Sequence, residues 1–149
     1  MNDSAEPHSE SGPITILAVD PGSMKCGIAV VSYAPLTVHF KAIVPAIDAI
    51  DQIGLILKTR PSTVSILLGD GTGSRRIATS IRQAFPGHPL IVVDEFGTSL
   101  LARSRYCCEN PARGWRRLLP RGLRLPEEPY DDYVAIILAE RWLRSRAKS

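Results

Sequence analysis

Four acidic residues stand where carboxylates can do chemistry: Asp20, Glu95 and the adjacent pair Asp131 and Asp132. Asp20 ends the apolar run Ile14-Thr-Ile-Leu-Ala-Val-Asp20 and precedes Pro21-Gly22, a turn signal. Glu95 follows the second apolar run Leu90-Ile-Val-Val93 and Asp94, and the late pair opens an apolar segment behind Pro129. If the strands ending at Asp20 and Glu95 run parallel and close together, both carboxylates emerge at one edge of the sheet. A carboxylate in the first turn of a helix faces that helix's positive end. Three acids gathered there repel one another and raise their pKa values unless a counter-charge intervenes. Magnesium or manganese supplies such a charge, since both prefer oxygen ligands. Two ions about 4 Å apart can activate a water and stabilise the leaving oxygen of a phosphodiester. Singly, each acid also suits a turn, a loop pair or a helix start. The conjunction carries the reading.

The elements that must position these acids follow from the apolar pattern. Residues 14–20 read as a buried strand and residues 27–33 as a second. Pro35 breaks the latter, and residues 37–44 make a third strand alternating around Val38, Phe40 and Ala42. Short connections at 21–26 and 34–36 make these three antiparallel neighbours. Residues 46–58 place Ile47, Ile50, Gly54 and Leu57 at helical spacing, and Pro61 stops that helix. A strand at 63–68, a Gly-rich loop at 69–74, a helix from about 75 to 85 and a strand at 90–93 come next. Thr98 or Ser99 is positioned to cap a helix reaching Cys108, residues 109–129 form a long functional loop, and residues 130–146 form the last helix. The order predicts an α/β fold. Its mixed five-stranded sheet has three antiparallel strands and then two parallel ones, flanked by helices, as in the ribonuclease H fold.

With 149 residues the chain suits one domain, expected at 13–149 behind a polar, acidic, disordered tail at 1–12. No secretory signal and no membrane span are expected, because no apolar run approaches ~20 residues. Cys26, Cys107 and Cys108 are odd in number and lack zinc-like spacing, which points to a reducing, cytoplasmic setting. The net charge is only +3, yet arginines crowd the last third: Arg103, Arg105, Arg113, Arg116, Arg117, Arg121, Arg124, Arg141, Arg144 and Arg146. That asymmetry suits a surface that meets phosphates, or simply a solvated basic face. Trp115, inside the basic loop, can stack a base or serve as a core residue. Gly71, Gly73 and Ser74 before a helix can cradle a phosphate, although the loop lacks the Gly-Lys-Ser/Thr of a P-loop.

At these residues the chain resembles the YqgF-type, RuvX-like nucleases, relatives of the Holliday-junction resolvases in the ribonuclease H superfamily. The resemblance spans about residues 14–143 and rests on three blocks. The first is Asp20, Gly22, Lys25, Gly27 and Ala29; the second is Val92-Val-Asp-Glu-Phe-Gly-Thr-Ser-Leu-Leu-Ala102; the third is an aspartate opening the Ala-rich helix that runs to Leu143. It implies a nuclease whose catalytic, metal-holding residues are Asp20, Glu95 and Asp131, with Asp132 as the alternate. Asp131 comes first because it keeps the family's spacing to Ala135, Ile137 and Trp142. The cofactor implied is Mg²⁺ or Mn²⁺, as two ions. Nucleic-acid contacts are expected at Lys25, Arg75, Arg76, Arg103, Arg113, Trp115, Arg116 and Arg117.

The expected substrate is RNA first, as in ribosomal RNA precursor processing with ribosomal particles as partners, and otherwise branched DNA such as a Holliday junction or single-stranded DNA. The chain would act as a monomer or a homodimer, a junction resolvase requiring the symmetric dimer. Two departures stand out. Phe96 replaces the family arginine, and Gly69-Asp-Gly71 replaces Gly-Leu-Pro, which adds Asp70 near the site. Arg75, Arg76 and Arg103 are candidates to replace the missing cation. A rival reading is a non-catalytic nucleic-acid- or ribosome-associated binding protein on the same fold. The Asp-x-Gly motif also resembles actin-like ATPases and sugar kinases, which need two such domains.

Overall fold

The structure, a computed structural model, describes residues 13–148; the tail expected at 1–12 lies outside the described residues. Five strands form one sheet: β1 (Thr15–Asp20), β2 (Lys25–Ser32), β3 (Thr37–Pro45), β4 (Thr63–Gly69) and β5 (Leu90–Val93), in the order β3-β2-β1-β4-β5. β2 pairs antiparallel with both β1 and β3, whereas β4 pairs parallel with β1 and β5. This is the mixed sheet that the hairpin and crossover connections predict.

The period-2 geometry of a strand divides the core between the two faces. Leu17, Val19, Ile28, Val30, Ile66 and Leu68 point to one side, where α1 (Ala49–Thr59) and α2 (Ser74–Ala84) cover them through Ile53, Ile56, Ile77 and Ile81. Ile16, Ala18, Ala29, Val31 and Leu67 point to the other, against Ala135, Ile136, Ala139 and Leu143 of α4 (Asp131–Arg146). Each fully buried aliphatic side chain contributes about 1.5–3 kcal/mol. The alanines matter differently: small residues on both partners let α4 lie close to the sheet. At its start the approach is closer still, since a Cβ on Gly27 would overlap the Asp131 carbonyl and stand 2.7 Å from the Asp132 nitrogen. α3 (Thr98–Glu109) packs mainly on α4, with Ala102 against Tyr133, Val134 and Leu138. Among the described residues no helix is long and apolar enough to cross a membrane.

Three local expectations shift. α1 begins at Ala49 and not at 46, because β3 runs to Pro45 and the next residues turn, with Ala46 N–H donating to the Met24 carbonyl at 2.8 Å. Ile47 is therefore outside the helix and 85% exposed. The residue preceding α3 is Gly97 at φ 73°, a left-handed position that favours glycine, and neither Thr98 nor Ser99 caps the helix. Thr98 Oγ1 instead donates back to the Glu95 carbonyl at 2.6 Å. The long loop contains two 3₁₀ turns, Gly114–Leu118 and Arg121–Leu123.

Candidate active site

Asp20 closes β1, opposite Gly27 of β2, and the parallel registers Val19↔Leu68 and Gly69↔Val93 bring the ends of β1, β4 and β5 to one edge. Just beyond that edge the β4 and β5 loops are stitched together. Asp70 N–H donates to the Val93 carbonyl, and Glu95 N–H donates to Asp70 Oδ1, both at 3.0 Å. Asp70 thus acts as a turn residue that sets the main chain of Glu95. The Glu95 side chain lies over Gly69 and Gly71, where a Cβ on either glycine would overlap its carboxylate.

Asp20, Glu95 and Asp131 share one electrostatic environment. Burial first, then the charges of Glu95 and Asp131 and a side-chain interaction with Glu95, push the Asp20 carboxyl up to about 8. Burial also raises Glu95, opposed by a hydrogen bond from the Gly71 N–H and by the interaction with Asp20. Both carboxyls are therefore pushed up, and the interaction between them raises Asp20 and lowers Glu95. Glu95 Oε1 is buried without a hydrogen-bond partner among the described residues. A buried, unsatisfied carboxylate oxygen is costly, and such an atom calls for a ligand.

The adjacent aspartates separate cleanly. The charge of half-buried Asp131 acts on Asp20. Asp132 turns toward the edge strand, where its Oδ2 accepts from Lys41 Nζ at 3.0 Å and its Oδ1 accepts from Tyr133 N–H at 3.0 Å. Burial works against the Lys41 charge, but hydrogen bonds to Asp132 and Tyr133 outweigh it and raise its pKa. Lys41 also sits 4.1 Å from the Tyr133 ring centroid, and the Tyr133 hydroxyl donates to Glu109 Oε2 at 2.9 Å. Arg105 then joins Glu109 and Glu140, at 2.9 and 2.7 Å. This chain of ion pairs holds the start of α4, and with it Asp131, against β3 and α3.

Sequence reasoning missed one brace. Arg141 reaches from α4 to donate to the Asp94 carbonyl at 3.3 Å and the Phe96 carbonyl at 3.0 Å. It brings a cation to the connection that carries Glu95, where Phe96 stands in place of an arginine and is 85% exposed. Nothing in the local pattern marks Arg141, because the contact joins segments far apart in the chain. Arg103 does not take that place: its guanidinium donates to the Gly122 and Arg124 carbonyls, both at 3.3 Å, and anchors the long loop. Arg75 and Arg76 are exposed in the first turn of α2, and Arg76 with Gly22 and Gly73 lines a small cleft beside the turn after Asp20. Lys25 is exposed at the start of β2. In the loop Arg113, Trp115 and Arg117 are exposed, so Trp115 is not a core residue, and Arg116 donates to Glu127 at 3.0 Å.

The donor set suits a hard divalent cation: three carboxylates, a raised carboxyl pKa that a positive charge would relieve, and an orphaned oxygen. Among the described residues no group of three or more ligating side chains is already gathered to hold a metal ion, so a bound ion would require the acids to adjust.

No protein-family model matches this sequence, and no curated protein sequence matches it. Solved structures do. The fowlpox virus resolvase, in a complex with substrate Holliday junction DNA, is similar with TM-score 0.59 and 13% identity over 89% of this chain and 99% of that one. Thermus thermophilus RuvC, in complex with Holliday junction substrate, is similar with TM-score 0.50 and 14% identity over 89% of this chain and 96% of that one. At such identities the likeness is one of fold, and it agrees with the strand order and pairing: the chain has the ribonuclease-H-like fold of these resolvases.

Proposed function

We propose that this protein is a divalent-metal-dependent nuclease that hydrolyses phosphodiester bonds, with branched DNA as the preferred substrate class. The observation that carries the reading is that the charges of Glu95 and Asp131 both act on buried Asp20 at one sheet edge, beside a buried Glu95 oxygen with no hydrogen-bond partner among the described residues. The junction-bound resolvases of the same fold favour branched DNA over RNA, and the three sequence blocks favour a YqgF-type, RuvX-like member. A role in ribosomal RNA precursor processing is the second reading, supported by those blocks alone.

Asp20, Glu95 and Asp131 would hold Mg²⁺ or Mn²⁺. When bound, such ions supply a water of lowered pKa and charge stabilisation at the leaving oxygen. Asp20, whose carboxyl is raised to about 8 without a cation, would bind as the carboxylate, and Gly69 and Gly71 leave the room that the Glu95 carboxylate occupies. Asp70 and Arg141 fix the main chain on which Glu95 stands. Lys25, Arg75 and Arg76 beside the acids, and Arg113 and Arg117 in the loop, meet backbone phosphates and set the register of the strand.

The test is cleavage of labelled four-way junctions, single-stranded DNA and RNA with Mn²⁺ or Mg²⁺, alongside Asp20→Asn and Glu95→Gln. Metal-dependent cutting of junctions by the wild type, lost in both variants, supports the proposal. Binding of these substrates without cutting by the wild type would instead make the chain a binding module.

A further inference from the structure

The loop between α3 and α4 encloses, with the C-terminal half of α3, a cleft of about 830 Å³. That volume is in the range of small-ligand sites, ~300–1,000 Å³. Trp115 lines it with 69% of its surface exposed, an unusual cost for so large an apolar ring. The ring has a cationic neighbour, since Arg116 stands 5.9 Å from its centroid while tied to Glu127.

The cleft is held in shape by its own arginines. Arg124 donates to the Leu119 and Arg117 carbonyls, both at 2.9 Å, and Arg103 clamps the Gly122 and Arg124 carbonyls from α3. Two further lining cations, Arg113 and Arg117, are exposed, and their side chains make no hydrogen bond or ion pair with any described residue. Of the three lining acids, Glu109 is engaged by Arg105 and Tyr133 and Glu127 by Arg116, which leaves exposed Glu128 as the one acid set against Arg113 and Arg117. At its α3 wall stands Tyr106, whose ring packs 6.4 Å from Tyr130 and 5.6 Å from Tyr133, the residues on either side of the Asp131–Asp132 pair.

We infer that this cleft binds one unpaired nucleotide of the substrate strand, its base stacked on Trp115 and its flanking phosphates met by Arg113 and Arg117. Only an unstacked base offers its face to an aromatic ring; in a duplex those faces are occupied by neighbouring base pairs. The inference rests on the nuclease reading for its purpose, because Tyr106, Tyr130 and Tyr133 join the cleft to Asp131. It makes the substrate a strand that leaves the helix near the cut, as at a branch point, flap or loop.

The experiment is binding by fluorescence anisotropy in the full chain carrying Asp20→Asn, without added metal. The probes are labelled single-stranded DNA, single-stranded RNA, flapped DNA and a blunt duplex. Expected is tighter binding of strands with unpaired nucleotides, a preference that Trp115→Ala lowers by about tenfold and Trp115→Phe largely keeps. Arg113→Gln with Arg117→Gln should weaken every probe and flatten the salt dependence. The DNA and RNA arms tell which polymer supplies the nucleotide, and Trp115-dependent binding of either supports the cleft. Equal affinity for the blunt duplex, or no effect of Trp115→Ala, overturns it. Trp115-dependent binding by a wild-type protein that never cuts would sink the nuclease reading and leave the cleft standing.

Discussion

Replacing Asp20 by asparagine should abolish cleavage and, at the same time, make the metal-free protein more stable near neutral pH. Burial and the nearby charges of Glu95 and Asp131 raise the Asp20 carboxyl from 3.8 to about 8 in the folded chain. The native state therefore binds a proton that the unfolded state releases, and stability falls as pH climbs from about 4 towards about 8. Between 3.8 and neutral pH the shift corresponds to at most about 4 kcal/mol at 1.36 kcal/mol per unit. Residual solvent and sharing of the proton with Glu95 bring this to about 1–2 kcal/mol. Asparagine cannot ionise and escapes the penalty. Thermal unfolding followed by circular dichroism in chelator should show a Tm gain of about 3–8 °C for Asp20→Asn near pH 8, shrinking towards pH 5. Added Mn²⁺ should raise the wild-type Tm and leave that of the variant nearly unchanged. A variant less stable than the wild type near pH 8, or a Tm difference that ignores pH, would refute the picture of Asp20 as a buried acid awaiting a cation.

Three other substitutions probe the frame around the acids. Gly27→Ala places a Cβ into the Asp131 carbonyl and 2.7 Å from the Asp132 nitrogen, so α4 must lift from β2; urea unfolding should show a loss of about 2–4 kcal/mol. Gly71→Ala meets only the flexible end of Glu95, so the fold should persist while Mn²⁺ affinity by calorimetry falls about tenfold. Lys41→Met strands the buried Asp132 carboxylate, and because Lys41 is 40% exposed the loss should be modest, about 1–2 kcal/mol in chemical denaturation. Adding Asp132→Asn to Lys41→Met should recover part of it, since the stranded charge is then gone.

The strands were readable because their cause is local. Ile16 and Ala18 face one helix layer while Leu17 and Val19 face the other, and a strand buried on both sides must be apolar throughout. Asp20 and Glu95 stand out as candidates for a related reason, as acids at or within two residues of the ends of such runs. What stayed hidden depends on contacts between distant segments. Asp131 and Asp132 differ by one position, and only Lys41, on an edge strand laid beside α4, decides which of them turns away. Ile47 fits a helical spacing but belongs to a turn tied to Met24. Arg141 looks like one more basic residue of a solvated helix end until the β5–α3 connection is folded against it. Trp115 illustrates the reverse: its size suggests an interior residue, and the loop that carries it has no interior to offer.

The three acids do not stand on equal footing. Asp20 ends the central, most deeply covered strand, and Asp131 belongs to a helix pressed so closely on Gly27 that no methyl group fits between them. Glu95 alone stands on a short connection, where its N–H donates to Asp70 and Arg141 donates to the carbonyls of its neighbours Asp94 and Phe96, before the chain enters α3 through left-handed Gly97. In the proposed metal site two of the acids would thus stand on a strand and a helix and the third on a connection. On that reading, changes confined to residues 94–97 are expected to alter which cation is accepted while the sheet and α4 stay as they are.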